Sequence, residues 1–217
     1  MSKTVMQKLN EGRQFRNIDV SNIEHRTAED GALYVEGYAT VFDTPYLLYE
    51  ENGWKLYEVV ERGAFDDADM SDVVMQYDHE GRVFARTSNG TLEVAPDEKG
   101  LHIRARLDGT ELGKQIYDEI AGGFTNKMSF GFTISNLARE REETENNVVV
   151  THRIKGVRKL FDVSAVSVPA NDATTINARN LFNGVKEEVT AERLKREKLK
   201  TRIKLENIKN ELFRNDN

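Results

Sequence analysis

The chain contains no cysteine. That excludes a disulfide framework, a thiolate nucleophile and every thiolate-ligated zinc site, and it leaves only oxygen and imidazole ligands for a metal. The four histidines, His25, His79, His102 and His152, include no pair at metal-ligand spacing on one helix, so neither a metal nor another cofactor is expected. No apolar run approaches the length of a membrane span, and the opening residues MSKTVMQKLNEGRQFR lack the apolar centre of a signal peptide. The expectation is a soluble, unexported protein of a reducing cytoplasm with no membrane partner. Excess positive charge is missing too. At a net charge of -6 the chain is poorly suited to neutralising phosphates, and no nucleic-acid partner is expected.

What is present is enough for one well-buried core: 217 residues, 38% hydrophobic, with charged residues at 31%. So much charge implies segments that do not pack. The expected organisation is an N-terminal extension over residues 1–14, a main domain over 15–182 and a helical tail over 183–217.

Alternation and β-branched or aromatic content predict strands at LYVEGYATV (33–41), KLYEVVE (55–61) and VVMQY (73–77), the last ending at Asp78 and His79. Residues 63–71 read as a short helix or turn. Asn89-Gly90 predicts a hairpin between its flanking runs, and Asp97 to Gly100 a second turn leading into LHIRARL. Leu112, Ile116, Tyr117 and Ile120 have helical spacing, stopped by Gly122-Gly123. MSFGFTIS (128–135) is a strand, 139–147 a charged loop, and 148–157 and 159–170 an antiparallel pair joined tightly at Gly156. The fold class is mainly β with helices (α+β), an antiparallel barrel or sandwich decorated by helices. Beyond Gly184, both charge signs mix around Leu194, Leu199, Ile203, Ile208 and Leu212, predicting a long amphipathic helix whose narrow apolar seam wants a protein partner.

Three segments carry chemistry: YDH (77–79), MSFGF (128–132) and KLFDVSAVSVPAN (159–171). A serine hydroxyl becomes a useful nucleophile when a base takes its proton, and a histidine works best when a third group fixes its tautomer. Ser129 sits between Met128 and Phe130 and points opposite to them in a strand, while Gly131 keeps the neighbouring surface open for substrate backbone. Other signals are weaker. GTELGK (109–114) falls short of a phosphate loop and reads as a helix start, and Asp66, Asp67 and Asp69 read as an acidic surface turn.

Taken in order, EGYATVFDTPY, YEVVERGAF, the strand ending at Asp78-His79, Gly100-Leu101, MSFGF and LFDVSAVSVPAND resemble the prohead (procapsid maturation) protease family of tailed phages, over residues from about 31 to 180. The resemblance implies a serine endopeptidase on a barrel related to the herpesvirus assembly proteases. It implies His79 as general base and Ser129 as nucleophile. The acidic residue of the closing signature falls on Asp162, where Glu is common in the family, and Asp162 is assigned to orient His79, with His152 as its competitor. Arg158 and Lys159 are the candidates for oxyanion stabilisation. The implied substrates and partners are the scaffold or the capsid protein's scaffolding segment, and the protease itself, inside the prohead in the host cytoplasm. The tail would carry the enzyme into the shell and be removed by self-cleavage. The rival reading is a non-catalytic capsid-assembly protein of the same barrel.

Overall fold

The computed structural model describes residues 9, 12–18, 23–167 and 172–215. The chain divides into two compact units, Met1–Ala178 and Arg179–Asn217.

In the first unit, strands form two sheets among the described residues. The smaller has the order β2 (Glu24–Thr27), β3 (Leu33–Val41), β9 (Gly100–Arg106), β8 (Leu92–Pro96), all antiparallel. The larger runs β1 (Gln14–Ile18), β10 (Lys127–Glu143), β11 (Val148–Val166), β5 (Trp54–Val60), β4 (Tyr46–Glu51). Its remaining members are β6 (Val74–Tyr77), paired with β11, and β7 (Glu80–Arg86), paired with β6. Because β5 and β6 both run parallel to β11, the larger sheet is mixed, and the two sheets do not form the single antiparallel barrel expected. The structure is strand-rich α+β.

The expected antiparallel pair about Gly156 is instead one continuous strand, β11, lying along β10, which itself runs well into the predicted charged loop. Gly156 is needed here for close approach: a Cβ on it would sit 2.6 Å from Ser135 Oγ, where the β10–β11 register shifts. The glycine thus marks a bulge and not a turn. Residues 168–171 of the predicted last strand lie outside the described residues.

Asn89-Gly90 is likewise not a hairpin. Residues Thr87–Asn89 make a single 3-10 turn closed by Gly90 at φ 74, and the Asn89 side chain accepts from Thr91 N–H. The chain thereby passes from β7 in one sheet to β8 in the other. Asp97 does close the β8–β9 hairpin, its carboxylate accepting from the backbone of Lys99 and Gly100. Helix α1 (Glu111–Ala121) starts where GTELGK suggested, capped by Thr110 Oγ1 accepting from Gly113 N–H at 2.9 Å. Residues 62–67 are turn. Phe65, Phe130, Phe132, Leu56, Met75, Leu101, Ile103 and Met128 are among the fully buried core side chains.

Helix α2 (Asp172–Asn215) begins earlier than the expected tail. Gly184 read as a boundary, yet one internal glycine costs a helix only about 1 kcal/mol. Within the second unit Leu194, Leu199, Ile203, Leu205 and Ile208 are all exposed. The side chain of Leu212, also placed on the seam, lies outside the described residues. Among the described residues no helix is long and apolar enough to cross a membrane.

Candidate active site

Strands β1, β10, β11 and β6 lie side by side, and their register builds the site. One row across them reads Asn17, Ser129, Ser164, Gln76; the next reads Phe15, Gly131, Asp162, Val74. Alternation puts these two rows on one face and sends Phe130 and Phe132, stacked with centroids 4.5 Å apart, to the other. One face is therefore core and the other carries the polar groups.

His79 arrives from the tip of the β6–β7 hairpin. Tyr77 pairs with Glu80, leaving Asp78 and His79 as a two-residue turn with φ of 48° and 64°. Positive φ at both central residues is the signature of a type I′ turn. A side chain in this region costs roughly 1–2 kcal/mol, so the tip is held there by its contacts. Asp78 N–H donates to Ala165 O, and the His79 ring packs on Phe15 with centroids 4.5 Å apart.

Both ring nitrogens are engaged. Nε2 lies 2.5 Å from Ser129 Oγ, and Nδ1 is hydrogen-bonded to Asp162 Oδ2. Asp162 Oδ2 also accepts from the Ser164 hydroxyl at 2.7 Å, and Oδ1 is ion-paired with Arg13. Ser129 and Asp162 are completely buried, while the His79 side chain keeps 10% of its surface exposed. Burial pushes the Asp162 carboxyl up, but the hydrogen bond and charge of His79, the Ser164 hydroxyl and Arg13 outweigh it and hold the group below its ordinary value. An ionised Asp162 makes Nδ1 a donor and leaves Nε2 free to accept the serine proton. Hydroxyl, imidazole and carboxylate form one continuous chain, an arrangement able to move a proton off the serine.

Gly131 has a different use from the one expected. A Cβ there would lie 2.1 Å from Asp162 Oδ1 and 2.9 Å from Arg13 Nε. The missing side chain makes room for the carboxylate, not for a substrate.

The sequence matches the family model described as caudovirus prohead serine protease over residues 17–188, most of the chain. The chain belongs to this family. It is also similar to the solved structure of the bacteriophage T4 capsid assembly protease, gp21, at 13% identity and a TM-score of 0.39, covering 71% of this chain and 96% of that one. No curated protein matches the sequence.

In this prohead protease the structure brings His79, Ser129 and Asp162 together and leaves His152 out. His152 is buried toward the other end of β11, opposite Arg139 and beside Glu58, with Nε2 accepting from Arg139 Nε at 3.3 Å. Lys159 pairs with Thr133, and its ammonium bonds Asp69 at 2.7 Å; the Arg158 carbonyl accepts from Asp69 N–H. Both residues thus help to hold the turn around Asp69.

Sequence reasoning missed Arg13, Phe15, Arg16, Glu58 and Ser164. Ser164 was findable, since a residue two places after Asp162 in a strand must share its face. Glu58 carried a signal as well: a carboxylate flanked by apolar strand residues demands a cation. Its partner is Arg16, bidentate at 2.5 and 2.9 Å, and the Tyr46 hydroxyl also donates to it.

Proposed function

We propose that this family member is an endopeptidase in which Ser129 is the nucleophile, His79 the general base and Asp162 the group that orients His79. The continuous hydrogen-bonded chain from Ser129 through His79 to Asp162 supports this reading above all else. As Ser129 Oγ attacks a peptide carbonyl, its proton passes to Nε2; the charge this creates on the ring is balanced by Asp162 at Nδ1. The protonated Nε2 then gives its proton to the departing amine, and water, activated by the same nitrogen, releases the acyl group.

The substrates are the scaffold or the scaffolding segment of the capsid protein, and the protease itself, cleaved inside the procapsid. The exposed seam at Leu194, Leu199, Ile203 and Ile208 supports a role for the tail in binding those partners. Kinship of the strand-rich unit to the barrel of the herpesvirus assembly proteases belongs to the same proposal, supported by the chain order of histidine before serine.

Co-expression with the capsid protein tests the assignment. Wild type is expected to yield shortened capsid protein and Ser129→Ala none. Shortening by both chains would remove Ser129 from the role, and shortening by neither would favour a non-catalytic assembly protein.

A further inference from the structure

Ser129 is completely buried, and strand β1 is what covers its free edge. β1 pairs antiparallel with β10 at the level of the nucleophile, Asn17 opposite Ser129 and Arg16 opposite Phe130. It is the terminal strand of the larger sheet, the position where an extended peptide adds to a sheet edge. The Ser129 hydroxyl donates to the Arg16 carbonyl oxygen at 2.9 Å. A serine has one proton, so that contact competes with donation to His79 Nε2, itself 2.5 Å away. β1 thus presents a peptide carbonyl to the nucleophile in a resting arrangement.

The Arg16 side chain turns to the opposite face, where its guanidinium meets the fully buried carboxylate of Glu58. If β1 departed alone, Glu58 would be left as a buried anion whose remaining described partner is the Tyr46 hydroxyl, a costly state. A strand replacing β1 is favoured when it brings its own cation to that place.

We propose that β1 occupies the groove in which substrate strands are cleaved, with Arg16 standing where the residue before the scissile bond stands, so that Glu58 selects a basic residue there. This rests on the serine-protease reading above. It adds that the enzyme cleaves after arginine, and after lysine less well because only the guanidinium matches the carboxylate bidentately. It adds too that the described state is latent. In the cleaving event Ser129 Oγ bonds to the carbonyl carbon of the basic residue. The carbon–nitrogen bond breaks as the amine takes the proton from His79, and water then releases the acyl group as the free acid and restores the hydroxyl.

Two measurements on the full chain test this. The first is the rate at which a fluorophosphonate probe labels Ser129, followed by intact mass. Wild type should label slowly, Arg16→Glu, which Glu58 repels, at least 10-fold faster, and Ser129→Ala not at all; equal rates in wild type and Arg16→Glu would overturn the occupancy. Arg16→Lys, which keeps the buried charge and hence the fold, should label at an intermediate rate and serves if Arg16→Glu does not fold. The second is cleavage of a peptide pool carrying Arg, Lys, Leu, Ala or Glu at one central position. Cleavage after Arg is expected, with the Arg-to-Leu ratio of kcat/KM falling at least 30-fold in Glu58→Gln. Labelled Ser129 with cleavage after neutral or acidic residues would overturn the specificity and leave the protease reading standing. Absence of both labelling and cleavage in every chain would remove that reading itself.

Discussion

Gly131 and Asp162 face each other across β10 and β11, and the absence of a side chain on the first is what allows the carboxylate of the second to lie flat over the sheet toward His79. A methyl group at that point would stand 2.1 Å from Asp162 Oδ1, too close to be absorbed without moving the acid or the strands.

Gly131→Ala is therefore expected to lower peptide-hydrolysing activity by roughly 100-fold or more, through displacement of the Asp162 carboxylate from His79, a misplacement of the kind that costs that much. Overpacking at a buried site should also cost about 1–3 kcal/mol of stability. Steady-state kinetics with the urea midpoint checks both; an alanine variant of wild-type activity would mean the carboxylate position is not critical.

Asp162→Asn keeps the shape and removes the charge. An amide can donate to Nδ1 and hold the ring in the wrong tautomer, so kcat should drop by about 10³- to 10⁴-fold with little change in KM. A drop under 10-fold would point to a different partner for His79.

The depressed Asp162 carboxyl predicts an acid limb of stability. Folding favours its ionised form, so its contribution is fully present above the unfolded value of about 3.9 and is lost as pH falls through the lower folded value. Urea midpoints measured from pH 6 down to pH 3 should decline more steeply below pH 4 for wild type than for Asp162→Asn. Parallel curves would contradict the assignment.

The turn carrying His79 is sensitive to its neighbour. Asp78 sits at φ 48°, a region that β-branched residues resist. Asp78→Val should cost about 1–2 kcal/mol and displace the imidazole, lowering activity along with Tm. Asp78→Asn should retain the melting temperature within a few degrees, since asparagine adopts this conformation readily. Calorimetry alongside activity distinguishes the two.

Much of this site was legible because its three segments are local: a histidine after an apolar run, a serine alternating with aromatics, an acid in a long strand. Their meeting was not legible from spacing alone, since it depends on β6 running parallel beside the far half of β11, a pairing without a short-range signal. The hairpin reading at Asn89-Gly90 failed for another reason: β7 pairs back with β6 and β8 forward with β9, so residues with turn chemistry serve a passage between sheets. Gly156 and Gly184 misled for a simpler reason. Each was read as punctuation, but one allows close approach inside a strand and the other is tolerated within a helix. Arg13 and Arg16 fell at the edge of what looked like an extension, and only the fold reveals that Arg16 lies in a strand, that Arg13 immediately precedes it, and that each has a buried acid to meet.

The long central strand gives the site an unequal construction. At the level of Asp162, β11 is flanked on both edges, by β10 and by β6, and the histidine-bearing turn is tied to it as well. His79 and Asp162 are thus held by the scaffold from both sides. Ser129 lies one strand further out, on β10, whose outer edge is closed, among the described residues, by the five-residue β1. Exchange at that border would alter what the serine meets without dismantling the relay behind it.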